Sequence, residues 1–466
     1  MSRLVRSLVY IAAFVFPPGI AAILGVRSLR DRDRPASLPR MDAAAVAATP
    51  RPIIDRARPT VVVVFASDLT EITDALGPYE IFARTKQFNV VTAAAERQPT
   101  LLTGGLRMLP HYSLREITEA LGGPPAIVVV PNLPNAGSDL NRSTIDWLRQ
   151  QATGGALMHS WCKGAMALAE TGLLDGQTAT AHWGDIPTLE KRYPALRWIR
   201  GVRWLEHGQY VMSAGITSGI DASLRVIIRT VGDSVARRVA RELRYPNFNY
   251  AIDPRVEQYE LQAADLVLVA NAAYRIRRPV IGVGLYDGVG EIDLSTVYDA
   301  HGHTMAAQVE SVAENDQGVV SAHGLTLYPS VAASEEPRRV RALTRLVVPD
   351  IEARQRAAGL VASITAAAPS LRLDYIHADD AARFGLEPVL EDLARTADVL
   401  TARFAQRRLE YRSSALRLEG LSIPWIVVGS AACLGAVGLL IVAGVDRLVG
   451  RPRLVRIRFA RLSISR

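Results

Sequence analysis

One cysteine in this sequence stands where a nucleophile would be expected. In Gly155-Ala156-Leu157-Met158-His159-Ser160-Trp161-Cys162-Lys163-Gly164-Ala165-Met166-Ala167-Leu168-Ala169 an apolar strand runs into a tight turn and then a helix, with Cys162 at the turn. A thiol held there can point at solvent, while the N-terminus of the following helix stabilises its thiolate. Lys163 adds a cationic neighbour. The same residues also fit a plainer reading, a small buried hydrophobe, which is the usual fate of a free cysteine. Only two cysteines occur, Cys162 and Cys433, in very different contexts, so neither a disulfide scaffold nor a metal-ligand spacing is available. His301 and His303 alternate as along an exposed strand without further ligands nearby, and no metal is expected. Gly282-Val283-Gly284 lacks the third glycine of a dinucleotide fingerprint, and no cofactor is expected either.

The elements that must position Cys162 read as alternating strands and helices. Short runs at 60–66, 88–92 and 126–131 are mostly apolar and rich in valine, as in a parallel sheet covered on both faces. Between and after them, 74–84 and 143–153 are amphipathic, which gives the βαβ alternation of a doubly wound fold with active sites at the carboxyl ends of its strands.

The stretch after the elbow, Gly172-Leu173-Leu174-Asp175-Gly176-Gln177-Thr178-Ala179-Thr180-Ala181-His182-Trp183, resembles ThiJ/PfpI proteins of the class I glutamine amidotransferase-like superfamily. The resemblance extends to Asp74-Ala75-Leu76-Gly77-Pro78-Tyr79-Glu80-Ile81-Phe82 and to Ser213-Ala214-Gly215-Ile216-Thr217-Ser218-Gly219-Ile220-Asp221. It is strongest to isocyanide hydratases and to the N-terminal sensor domains of AraC-type regulators. It implies a flavodoxin-like α/β fold and a site in which Cys162 is the reactive cysteine, Asp74 the acid bonded to it and His182 the histidine beside them. A proton shared between Asp74 and Cys162 would let the carboxyl act as general acid or base while sulfur attacks an electrophilic carbon. Taken alone, Asp74 reads equally as a helix N-cap. The sequence departs from the family at two places: Pro131-Asn132-Leu133-Pro134 replaces a Pro-Gly-Gly turn, and Lys163 replaces a small residue or threonine. Asn132 and Lys163 are therefore the candidates to stand in for the oxyanion donors. No glutamine-handling signature accompanies the resemblance.

The 466 residues carry more than this one domain. Glu291-Ile292-Asp293 and the run from Val319 to Pro329 echo Glu71 to Asp74 and the run from Thr100 to Pro110, so residues 278–350 read as a degenerate second α/β repeat without a cysteine elbow. The expected organisation is an N-terminal membrane segment (1–30), a linker (31–58), the ThiJ/PfpI-like domain (59–250), the repeat (278–350), a helical region (351–420), a transmembrane helix (421–445) and a basic tail (446–466). Two uncharged stretches, 8–26 and 421–445, have about the 20-residue length of a span. In the first, Phe16-Pro17-Pro18-Gly19 predicts a kinked span, a signal-type segment or an interfacial hairpin. The formal charge of +8 owes much to arginines after the second span. By the positive-inside rule these keep the tail cytoplasmic and the folded part outside.

Two functions are in view. One is a membrane-anchored cysteine-dependent hydratase or hydrolase acting on a small electrophile. The other is a noncatalytic module that senses a metabolite or oxidation in the same pocket. Arginine-rich helices expected over 386–418 run straight into the second span, which argues against direct nucleic-acid binding; a small molecule, the membrane and a homodimer partner are the expected contacts.

Overall fold

Unbroken runs of β-branched residues bury both faces of a parallel sheet. In the computed structural model, which describes residues 3–31, 38 and 40–449, two such runs, β1 (Thr60–Val64) and β4 (Ile127–Val130), form the centre of a sheet completed by β2 (Asn89–Ala94), β3 (Tyr112–Ser113), β5 (Leu157–Ser160), β6 (Trp204–His207) and β7 (Tyr210–Ser213). They lie in the order β6-β7-β5-β4-β1-β2-β3, and only β6 and β7 pair antiparallel. Every residue of β1 and β4 is buried. In register, Val62 stands between Val91 and Val128. A second, fully parallel sheet follows: β8 (Val280–Gly284), β9 (Gln308–Ala313), β10 (Val331–Ala332), β11 (Arg345–Val347) and β12 (Leu373–Asp374), in the order β10-β9-β8-β11-β12.

The helices that matter here are α1 (Arg3–Asp31), α2 (Ile72–Thr85), α3 (Arg142–Thr153), α4 (Gly164–Glu170), α5 (Ile216–Val231), α6 (Glu291–Gly302), α7 (Leu386–Thr396), α8 (Val399–Arg408) and α9 (Trp425–Val449). Helices α2 and α6 join the two sheets. Glu80 in α2 accepts the Ile292 N–H at the start of α6 (2.7 Å), while Glu71, the N-cap of α2, lies 3.5 Å from His303 just past the end of α6. The two helices are thus antiparallel, each end held by a carboxylate. A single hydrophobic cluster takes in Val63, Leu76 and Ile220 with Val283, Val297 and Leu390. The halves also share strands: Thr326–Tyr328 pairs antiparallel with Arg107–Leu109.

Several expectations need correction. Asp74 is not the cap of α2; Glu71 is, accepting the Asp74 N–H at 2.8 Å. His301 and His303 lie at the end of α6 and just beyond it, and both are buried, because α6 is buried on nearly every side and packs on α2. The helices expected over 386–418 number two and end at Arg408, short of Leu418: Asp398 caps the second by accepting the Thr401 N–H (2.7 Å), and Glu410, in the left-handed region at φ 53°, turns the chain away. Of the readings open for the segment around Pro17-Pro18, the interfacial hairpin is excluded, since Arg3–Asp31 is one continuous helix. Each proline frees the carbonyl four residues back, here Ala13 and Phe14. Those carbonyls face Gly438 and Gly435 of α9, where an added Cβ would fall 1.9 and 2.9 Å from them. Helix α1 therefore lies along α9. Two described helices, Leu4–Leu29 and Trp425–Arg447, are long and apolar enough to cross a membrane. The arginines from Arg451 onward, which carry the expectation of a cytoplasmic tail, lie outside the described residues.

Candidate active site

Cys162 occupies the sharp turn between β5 and α4 in the left-handed region, φ 53°, an uncommon conformation for a side chain larger than glycine. The turn is tight because α4 approaches β4 closely. A Cβ on Gly164 would sit 2.0 Å from the Val130 carbonyl, so only glycine fits. The Cys162 N–H donates to Ser213 Oγ (3.1 Å), which ties the elbow to the end of β7. The thiol is 4% exposed. Burial pushes its pKa well above the ordinary thiol value, and the charges of Asp74 and Asp185 push the same way.

Asp74, on the first turn of α2, is fully buried. One carboxylate oxygen accepts the Asn132 N–H at 3.2 Å, and the other has no hydrogen-bond partner. Burial, reinforced by Glu71, raises its pKa well above the ordinary carboxylate value, which favours the protonated form. Glu71 goes the other way: burial opposes its ionisation, but His303 outweighs that and holds it at about 2. Asn132 thus turns its N–H toward Asp74 rather than toward an oxyanion, and its side-chain oxygen is buried without a partner.

His182 is buried, and its Nδ1 accepts both the Gly184 N–H (3.1 Å) and Arg408 Nη1 (2.8 Å). Those two bonds leave the proton on Nε2, which donates to the Arg408 carbonyl at 3.0 Å. Lys163 leans to Asp185 (3.7 Å), which also faces His182 (3.4 Å) and Arg408 (3.7 Å). Burial works against the Asp185 anion, yet the Arg408 and Lys163 charges keep it below the usual carboxylate range. Cys162, Asp74, His182, Lys163 and Asn132 therefore converge on one place, where β4 and β5 end and α2 begins.

The residues the sequence did not point to are Arg408 and Glu410, 226 residues beyond His182 in the case of Arg408. The Leu409 carbonyl accepts from the Thr217 N–H (3.1 Å) and hydroxyl (2.9 Å). Glu410 accepts the Gly215 N–H (2.8 Å) and the Ser218 hydroxyl, and its carbonyl accepts Arg203 Nη1 (2.8 Å). A Cβ on Gly215 would fall 2.4 Å from the Glu410 carboxyl carbon. The end of α8 and the chain just beyond it thus lie against His182 and the start of α5. Nothing in its local sequence signals this, because the contacts depend on tertiary packing alone.

A family model, the DJ-1/PfpI family, matches residues 60–227. This part of the chain is a DJ-1/PfpI domain. An isonitrile hydratase from Pseudomonas putida is 28% identical over 176 residues, 37% of this chain and 72% of that protein. The HTH-type transcriptional regulator CdhR from Pseudomonas aeruginosa is 32% identical over 127 residues, 27% of this chain and 36% of the regulator. Among solved structures, a DJ-1 superfamily protein from Salmonella typhimurium is 24% identical, with a TM-score of 0.36 over 40% of this chain and 99% of its own. An AraC family regulator from Pseudomonas putida is 18% identical, with a TM-score of 0.34 over 40% and 100%. The DJ-1/PfpI domain holds the elbow, Asp74, Asn132 and His182, whereas Arg408 and Glu410 lie outside it.

Proposed function

We propose that the DJ-1/PfpI domain of this protein is a regulatory module whose thiol site is gated by the chain leading to the C-terminal apolar helix. The observation that carries this is the placement of Arg408 and Glu410 on His182, Gly215 and Ser218. A buried, protonated thiol next to a protonated carboxyl is poorly suited to attack; displacing the 408–411 segment would admit solvent and reactant together. We read the two apolar helices as a membrane anchor with the folded part extracytoplasmic. The second sheet is read as a degenerate repeat packed on the first as a dimer partner would be. DNA contact is not part of the proposal. Arginines near the anchor are already engaged, Arg383 with Glu387 (2.6 Å) and Glu391 (2.8 Å), and Arg407 with Asp265 (3.3 Å).

A second reading, cysteine-dependent hydration of a small electrophile such as an isocyanide, is favoured by the isonitrile hydratase relative and by the strained elbow. Iodoacetamide labelling of Cys162 in the full chain, with a Cys433→Ser background, distinguishes a gated site from an open one. Arg408→Ala and Glu410→Gln should each raise the labelling rate about tenfold or more, the equivalent of losing one charged hydrogen bond. Equal rates would rule out the gate. Turnover of a small isocyanide by the unsubstituted protein, abolished by Cys162→Ser, would favour the second reading.

A further inference from the structure

The second sheet has a crevice of its own. In open α/β sheets ligands bind beyond the carboxyl ends of the strands. Here the chain leaving β8 and β11 borders a cavity of about 330 Å³, closed on its other sides by α2 and by residues 242–244 and 384. That volume suits a small metabolite. Only Glu80 and Arg84 of its lining fall within the matched family segment.

Most of the charges around this cavity are already paired. Arg84 bonds Glu80 (2.6 Å), His323 Nδ1 meets Glu291 (2.7 Å), and Arg356 donates to the Gly288 carbonyl (2.8 Å) and pairs with Glu352. Asp350 accepts the Gly290 and Glu352 N–H groups at 2.9 and 2.8 Å. Two groups remain. Among the described residues, neither the Arg244 guanidinium nor the Asp293 carboxylate has a hydrogen-bond or ion-pair partner. Both line the cavity, and Gly385 leaves the room that Asp293 occupies, since a Cβ there would fall 2.1 Å from its oxygen. The backbone is also unusual at this place: Arg244 (φ 56°) and Asp350 (φ 80°) are both left-handed. Such conformations outside glycine gather at ligand clamps. Phe384 supplies an apolar wall.

One unspent cation and one unspent anion facing the same enclosed space call for a ligand carrying both charges. We propose that this cavity binds a small zwitterion, its carboxylate held by Arg244 and its protonated amine by Asp293. This site is separate from the thiol and does not rest on the gating proposal.

The test uses the full chain in detergent and calorimetric titration with the twenty standard amino acids, L-norleucine and 6-aminohexanoate. Hexanoate and hexylamine serve as probes of the same carbon count with one charge each. At least one zwitterion should bind with a stoichiometry of one, and the single-charge probes about tenfold or more weaker. Arg244→Gln and Asp293→Asn should each weaken that binding about tenfold or more, as loss of a charged hydrogen bond does. Their unliganded melting temperatures should match that of the unsubstituted protein, because neither group has a partner to lose. Failure of every zwitterion to bind, equal binding of hexanoate or hexylamine, or full binding by both variants would overturn the proposal.

Discussion

At the residue scale, the thiol and Asp74 share one problem, two acids buried side by side. A pKa raised by burial means that the thiolate fraction is smaller at every pH below that value. Labelling of Cys162 should therefore stay slow through pH 7–8 and climb only in alkali, the opposite of a low-pKa nucleophile. Once Asp74 ionises, its charge adds to the penalty on the thiolate, so Asp74→Asn should move the alkaline rise to lower pH. A rate profile of iodoacetamide labelling reads both effects; a plateau at pH 7 would contradict them. Gly164→Ala tests the elbow itself. Its Cβ would meet backbone, which cannot swing aside, so a loss of about 2–4 kcal/mol in unfolding free energy is expected by urea titration.

At the element scale, α8 presents Arg408 and the segment beyond it to the thiol site, and Asp398 anchors the start of that helix. Its carboxylate caps the Thr401 N–H and pairs with buried Arg275 at 3.0 Å. Asp398→Ala should lower stability by about 3–5 kcal/mol, since it leaves a buried cation unpaired, and should also quicken Cys162 labelling. Loss of stability without faster labelling would show that α8 does not hold the segment. What was legible in the sequence followed from local pattern. The β1, β2 and β4 runs read as strands because each is short and rich in β-branched residues, and Cys162 read as an elbow because strand, turn and helix signals adjoin. His301 and His303 were misread because alternation over three residues fits a strand and the end of a buried helix alike. Arg408 and Glu410 could not be found, since polar residues after a helix look the same whether they meet water or a distant glycine. The continuity of α1 through Pro17 and Pro18 also depended on something non-local, the glycines of α9 opposite the freed carbonyls.

At the scale of the whole molecule, α1 and α9 bring the two ends of the described chain together, with Arg6 pairing Asp446 at 2.7 Å. Gly438→Leu would drive a side chain into the Ala13 carbonyl, and small residues are what allow apolar helices such a close approach. Disulfide trapping between cysteines placed at Phe14 and Gly435 should be efficient in the otherwise unsubstituted chain and fall severalfold with Gly438→Leu. The halves are joined more widely apart in sequence elsewhere. Strand Arg107–Leu109 finds its partner at Thr326–Tyr328, and Arg107 bonds the Pro329 carbonyl 222 residues on. At ribosomal speeds of about 5–20 residues per second, that edge waits roughly 10–45 s for its partner to be made. During this interval it is an open template for another nascent chain. Biosynthesis, rather than the finished fold, is then the stage at which this protein is most exposed to aggregation, and slowing initiation so that nascent chains are sparse should raise the folded yield.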